Sequence, residues 1–514
     1  MSKQLLKSTA VVSAMTLLSR LLGFVRDVVI ARFFGADSGT DAFFVAFKIP
    51  NFLRRLFAEG AFSQAFIPVL AEYKEKGAEE ALKLFIDRTA GTLALVLFCV
   101  SIVGVAAAPV LIMLFAPGFQ VSGGDFDLSV SMLRLTFPYL FFISLTAFAG
   151  SLLNSWGRFA VPAFTPVFLN LCLISAAIWL APLMDEPIMA LAWGVLLAGI
   201  VQLAFQFPAL KRLGLLPKPK IALSDPGVRK ILTLMLPAIF AVSITQINLL
   251  LDTLIASFLQ PGSITWLYYS DRLVEFPLGI FGIALATVIL PSLSKDHAVK
   301  DSESFSSSLD WGLRLVLLIG VPASIGLFML GGPMLATLFQ YDAFSENDVR
   351  MAEMSLRAFS FGLLAFILVK ILVPGYTARQ DTKTPVRIGV IAMVSNMVMN
   401  LILVFPLAHA GLALATALAA YLNAGLLLKG LRQQGIYLPA KGWGLFSVKI
   451  TVASVVMALV LMQAEALSQW LEWGVGERAT QLLFWIAVGF STYLFSLFVM
   501  GVRPSHLLNK PSSR

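Results

Sequence analysis

The sequence predicts an all-α polytopic membrane protein with about fourteen transmembrane helices, arranged as two parallel six-helix lobes plus two extra C-terminal helices. Three observations predict it. Of 514 residues, 58% are hydrophobic and only 13% are charged, with a mean hydropathy of +0.85, whereas a soluble domain carries about 25% charged residues. The apolar residues come in blocks of roughly 20, the length that crosses ~30 Å of hydrocarbon. The basic residues are sorted between alternate loops. The same composition excludes disordered, collagen-like and disulfide-scaffold chains and an ordinary soluble enzyme.

Apolar runs read against loop breakers place the spans near 9–33, 38–70, 84–116, 130–155, 160–182, 188–209, 228–259, 264–293, 310–340, 351–376, 385–406, 410–431, 445–465 and 479–502. Lys3 and Lys7 before the apolar run Ser8–Leu18 resemble the start of a signal peptide. Arg20 and Arg26 then interrupt the run and no small-residue cleavage site follows soon, so this segment reads as an uncleaved first helix. The second span is the least hydrophobic and is long enough to bend or tilt.

With both termini on one side, 25 of the 38 Lys and Arg residues fall in the loops of that side, and the opposite loops hold only Arg350 and Arg478. Those opposite loops carry acids instead, among them Asp125, Asp127, Asp185, Glu186, Asp342 and Glu346. The positive-inside rule therefore predicts that both termini are cytoplasmic. The net charge of +9 is mostly this topology signal, and no nucleic-acid partner is expected.

The chain also repeats itself at an offset near 223. Pro68 faces Pro291, Leu133-Arg134 faces Leu356-Arg357, Pro162 faces Pro385, and Ala190-Leu191-Ala192 faces Ala413-Leu414-Ala415. This predicts an N-lobe over 1–222 and a C-lobe over 223–444, each of six spans and both the same way up, with a substrate site at their interface. Residues 445–514 lie outside the duplication.

Enzyme signatures are missing. Cys99 and Cys172 sit in apolar runs without a CxxC neighbour, and His297, His409 and His506 are scattered without ligand spacing. Neither a phosphate-binding GxxxxGK[ST] loop nor HExxH occurs. A transporter without a cofactor is expected.

The informative residues are charges inside spans. The first two spans hold Arg20, Arg26, Arg32, Lys48, Arg54 and Arg55 against Asp27, Asp41 and Glu59; the seventh holds Asp252, and the eighth Asp271, Arg272 and Glu275. A central Arg costs roughly 2.5–3.5 kcal/mol on insertion scales, so such groups face partners or water. Helical spacing offers partners: Arg20 with Asp27, the stripe Asp41, Lys48, Arg55, and Asp271 with Glu275. The basic excess favours instead a hydrated cationic cavity for an anionic substrate, because guanidinium binds phosphate bidentately and stays charged. Gly23 between Arg20 and Arg26, and Pro50-Asn51, are candidate bending points; Gly23 as a packing glycine is the competing reading.

These segments carry a resemblance. LLSRLLGFVRD (17–27), TDAFFVAFKIPNFLRRLFAEGAFSQAFIPVLAEY (40–73), YYSDRLVEFPLGIFGIALATVILPSLS (268–294) and PGYTARQDTKTPV (374–386) resemble the MurJ (MviN) family of lipid II flippases, within the multidrug/oligosaccharidyl-lipid/polysaccharide exporter superfamily. The resemblance implies movement of lipid II, the undecaprenyl-pyrophosphate-linked peptidoglycan precursor, from the cytoplasmic to the periplasmic leaflet. It implies cavity roles for Arg20, Arg26, Arg54, Arg272 and Asp41. Lys48, Asn51, Arg55, Asp271 and Glu275 join them as substrate-binding candidates, and Gly23 is the hinge candidate. It implies further that the last two helices line a groove for the lipid tail, and that a sodium site could be formed by Asp252, Asn396, Asn400 and Thr416, for which interhelical hydrogen bonding is the alternative. Energy would come from Na⁺, H⁺ or the membrane potential. Membrane lipids and the cell-wall synthesis machinery are the further partners implied. Competing readings are a flippase or exporter of another polyprenyl-linked glycan, an organic-cation antiporter (which would need an acidic, aromatic cavity), a membrane enzyme acting on the same lipid, and a scaffold for wall synthesis.

Overall fold

The computed structural model describes residues 3–75, 77–121, 125–464 and 466–502; the side chains of 3–10, 57–59, 236–238, 240–249 and 283–284 lie outside that description. All its regular elements are helical. Ten helices are long and apolar enough to cross a membrane. One of them, Lys383–Gln433, is 51 residues long and holds two spans, because the backbone reverses at Ala408 (φ 47°, ψ −130°). The turn is tight: a Cβ on Gly411 would lie 2.2 Å from the Leu403 carbonyl oxygen. Lys3–Phe34, the helical run from Ser38 to Glu75, and Pro226–Ala256 complete a set that fits the fourteen spans expected. The protein is a multi-pass membrane protein.

Boundaries agree with the sequence to within a few residues, with two departures. The third span is not one helix to residue 116 but Glu79–Ala106, a break at Ala107, and a separate Ala108–Phe115 with Pro109 near its start. A short helix, Leu467–Glu472, occupies what reads as a loop between the last two spans.

Prolines shape the spans, and at Pro50 and Pro322 the freed carbonyl is recaptured by a side chain. A helical proline has no N–H to offer the carbonyl four residues back, and in hydrocarbon that carbonyl needs another donor. For Pro50 the orphan is Ala46, and the buried Thr136 hydroxyl donates to it at 3.0 Å. For Pro322 it is Leu318, reached by the Tyr493 hydroxyl at 2.7 Å. The second and eighth spans, which the duplication pairs, each widen into a π-helical stretch, Arg54–Phe62 and Leu278–Gly282.

The chain forms two compact units, Met1–Ser263 and Ile264–Arg514. The first thus includes the seventh span, Pro226–Ala256, which the duplication assigns to the second copy. The reason is visible in its side chains. Lys230 pairs with Glu72 at 2.6 Å, the capping Asp225 pairs with Arg88 at 2.6 Å, and a Cβ on Gly227 would lie 2.8 Å from the Phe85 ring. Around this base Phe62, Phe66, Phe85 and Phe148 form the unit's buried aromatic core, with Tyr73 stacked on Phe85 at 4.2 Å.

In the second unit the last two spans, Trp443–Leu461 and Val475–Val499, pack on Ser302–Phe339 through Leu330, Ile450, Met457, Leu461 and Tyr493. Both ends are fixed by polar groups. The Asp310 carboxylate accepts from the Trp443 indole at 2.6 Å and from the Tyr437 hydroxyl at 2.8 Å. Burial and that carboxylate push the Tyr437 phenol above its ordinary range, so it remains a donor. At the other end the buried Arg478 donates to the carbonyls of Ala336 (3.0 Å) and Leu471 (2.7 Å), a cation at a helix carboxyl terminus where the dipole favours it.

Candidate substrate site

The charged residues singled out in the sequence divide by what each one touches. In the first unit Arg26 is 6% exposed and Asp27 2%. Its Nε and Nη2 both donate to Asp27 Oδ1, at 3.0 and 2.6 Å, and its Nη1 donates to Asn170 Oδ1 at 3.1 Å. Asn170 in turn donates to the Ser19 carbonyl at 3.0 Å, lacing the first span to the fifth. Arg26 is therefore held by a neighbouring carboxylate, the arrangement expected of a structural ion pair. Arg20, expected to pair with Asp27 one heptad on, is exposed and makes no ion pair among the described residues.

The second span supplies the rest of this unit's set. Asp41 is buried near the span's start, and its carboxylate accepts the Gly262 amide at 2.8 Å. Gly262 adopts φ +94° in the turn after the seventh span, a conformation glycine takes readily. Lys48 donates to the buried Thr253 hydroxyl at 2.5 Å, beside the half-buried Asp252. Six residues on, the half-buried Arg54 donates its Nε to Asn51 at 2.8 Å as the π-helical stretch begins, and Arg55 is exposed. The stripe Asp41, Lys48, Arg55 is thus spread over three environments. Glu59 falls outside the described side chains. Gly23 lies inside the continuous helix Lys3–Phe34, and a Cβ there would sit 3.7 Å from Asn170, ordinary contact.

In the second unit Arg272 is half-buried. It donates to the Tyr268 hydroxyl from Nε (3.2 Å) and Nη2 (3.1 Å), lies 5.2 Å from that ring's centre, and pairs with Glu275 at 3.0 Å. Side-chain exposures of 36% and 52% make this an open pair, not a buried one. Asp271 is half-buried beside it. Asn396 and Asn400 are fully buried one turn apart, and Thr416 is half-buried. These three belong to the second unit and Asp252 to the first. Their amide, hydroxyl and carboxylate oxygens are the hard donors a small cation takes.

Sequence reasoning missed Asn170 and Tyr268. An amide alone in the apolar run VFLNLCLIS was the available signal for the first; the second offered only its i, i+4 spacing from Arg272.

Residues 30–484 match the family model described as lipid II flippase MurJ. The chain belongs to that family. A probable lipid II flippase MurJ of Vibrio cholerae serotype O1 is 50% identical over 510 residues, covering 98% of this chain and 97% of that one. A solved lipid II flippase MurJ in an inward closed conformation superposes with a TM-score of 0.80 at 27% identity, covering 95% of this chain and 98% of its own. An inward-facing multidrug resistance MATE family transporter of the MOP superfamily shares the fold, with a TM-score of 0.67 at 13% identity over 83% of this chain and 98% of that one. The family is one of transporters, not enzymes, and the chain is accordingly a multi-pass inner-membrane protein.

Proposed function

We propose that this protein flips lipid II from the cytoplasmic to the periplasmic leaflet by alternating access, with a cationic cavity that takes the pyrophosphate headgroup. The observation that carries the reading is the accessibility of the arginines. Arg54 and Arg272 are half-buried and Arg20 exposed, although all three lie within membrane-crossing helices. Guanidinium groups within such helices are stable where a partner, water or an anionic ligand meets them, and a hydrated cavity for an anionic headgroup supplies the last two. Arg54 and Arg272 are then the phosphate contacts, Arg20 an accessory cation, and Arg26 a positioning residue that fixes the first span to the fifth. Asn51 and Tyr268 orient the guanidinium planes they touch.

The lipid tail stays in the bilayer beside Trp443–Leu461 and Val475–Val499. Both termini are cytoplasmic, as the Lys and Arg asymmetry requires. Resetting the empty carrier draws on the membrane potential, worth ≈2.3 kcal/mol per charge per 100 mV, or on a cation held by the oxygens of Asp252, Asn396, Asn400 and Thr416.

Depletion of the protein in cells, followed by leaflet-selective probing, tests this directly: lipid II should accumulate in the cytoplasmic leaflet. Arg54→Ala or Arg272→Ala, present at normal abundance, should not restore translocation. Full restoration by both variants would remove the cationic site from the mechanism.

A further inference from the structure

Two extended straps follow the sixth and twelfth spans, and they are built alike. After Met189–Arg212, residues 213–225 cross to Pro226–Ala256 without regular structure. Alternate backbone amides of this strap point inward: Lys218 N–H to Asp87 Oδ1 (2.8 Å), Lys220 N–H to the Asp87 carbonyl (3.0 Å), and Ala222 N–H to Thr92 Oγ1 (3.1 Å). The Lys83 ammonium holds the Leu216 carbonyl at 2.6 Å. The strap lies flush on the third span, where a Cβ on Gly91 would come within 2.4 Å of the Lys220 backbone.

At the duplication's spacing the arrangement recurs. Ala440 N–H donates to Asp310 Oδ1 at 3.1 Å and Leu438 N–H to Ser306 Oγ at 2.9 Å. Asp87 and Asp310 are each buried under their strap, as are the partners of the amides.

With alternate amides bonded from beneath, each strap turns a distinctive face outward. On the first, Lys211, Arg212, Lys218 and Lys220 are exposed, and Ile221 and Leu223 are 65% and 55% exposed. No acid occurs from 211 to 224, and the next one, Asp225, is buried against Arg88. On the second, Leu438 is 69% exposed between the exposed Arg432 and Lys441. Aliphatic side chains interspersed with cations, on a segment whose inward amides are already bonded, have the chemistry that enters the interface of an anionic bilayer. Each strap is bounded by helix ends, so it runs at the level of the headgroups.

We infer that the straps are lipid-docking elements: their cations take the phosphates of anionic phospholipids while Ile221, Leu223 and Leu438 enter the interface. Asp87 and Asp310 hold the straps in the presenting conformation. The inference uses the charge asymmetry of the loops but not the transported substrate, so it stands or falls separately from the flippase reading.

The test uses the full-length protein with Cys99 and Cys172 replaced by Ala and Ile221→Cys carrying an environment-sensitive NBD fluorophore. It is reconstituted in nanodiscs of phosphatidylcholine alone or mixed with phosphatidylglycerol. In the anionic discs the emission should shift to the blue, and brominated lipid should quench it. Lys218→Gln/Lys220→Gln should return the signal toward its value in phosphatidylcholine, weakening docking about fivefold per cation removed, and high salt should do the same. These lysines are exposed, so the double variant folds. A water-like emission in both lipids overturns the inference. So does a membrane-like emission that is indifferent to lipid charge, since the aliphatic contacts would then act alone.

Discussion

At the scale of single residues, the four arginines that look alike in the sequence have different energetics. Removing the Arg26 side chain breaks its buried ion pair with Asp27, a change that costs about 3–5 kcal/mol. Arg26→Ala should therefore lower abundance and thermal stability along with function. Arg26→Ala/Asp27→Ala should recover part of the stability, as a melting series in detergent would report. Arg272 sits in an open pair with Glu275, worth about 0–1 kcal/mol, so Arg272→Ala should melt within a few degrees of the parent and lose transport. Asp301 behaves differently again. It caps Ser302–Phe339 by accepting the Ser304 amide at 2.9 Å, and that bond holds its carboxyl below the ordinary value of 3.8. Its folded value lies below its unfolded one, so the stabilisation is complete above about pH 4 and is lost as pH falls further. The protection of that first turn against hydrogen exchange, relative to the unfolded chain at the same pH, should fall below pH 4 and be unchanged between pH 5 and 8.

At the scale of elements, proline placement and hydroxyl placement belong to one design. Tyr493 ties the last span to the ninth by occupying the carbonyl that Pro322 frees. Tyr493→Phe should cost about 0.6 kcal/mol, the average for hydrogen bonds between membrane helices, and no more than about 1.7 kcal/mol, and should raise hydrogen exchange in Val475–Val499. Gly23 separates two readings of the first span. A Cβ fits there at ordinary contact distance and alanine favours a helix interior over glycine by about 0.5–1 kcal/mol, so Gly23→Ala should not lower the melting temperature. If Gly23 is the hinge of the transport cycle, the same variant should slow translocation; if it only packs, translocation should proceed at the parental rate. The existence and rough limits of these elements were legible because a twenty-residue apolar run has few alternatives in a membrane. The π-helical stretches, the break at Ala107 and the helix Leu467–Glu472 were not. They arise where proline geometry and packing against other helices outweigh the local pattern.

At the scale of the whole molecule, the parity of spans and the skew of basic residues jointly fix the expected topology. Cysteines introduced one at a time near residue 511 and at Val121, in a chain cleared of Cys99 and Cys172, check it. An impermeant thiol reagent applied to intact spheroplasts should label position 121 and spare position 511. Labelling of both would break the parity on which the two-copy architecture depends.

Composition, hydropathy and charge sorting were sufficient for the all-helical membrane class and for a set of spans that fits the fourteen expected, because each of these is a sum or a period along the chain. Which arginine is locked and which is accessible was decided only in three dimensions. Arg26 is completed by Asn170, 144 residues away, Asp41 by an amide 221 residues away, and the seventh span joins the first unit through Glu72, Arg88 and Phe85. Such pairings depend on the angle at which one helix presents a side chain to another, and no linear pattern records that angle.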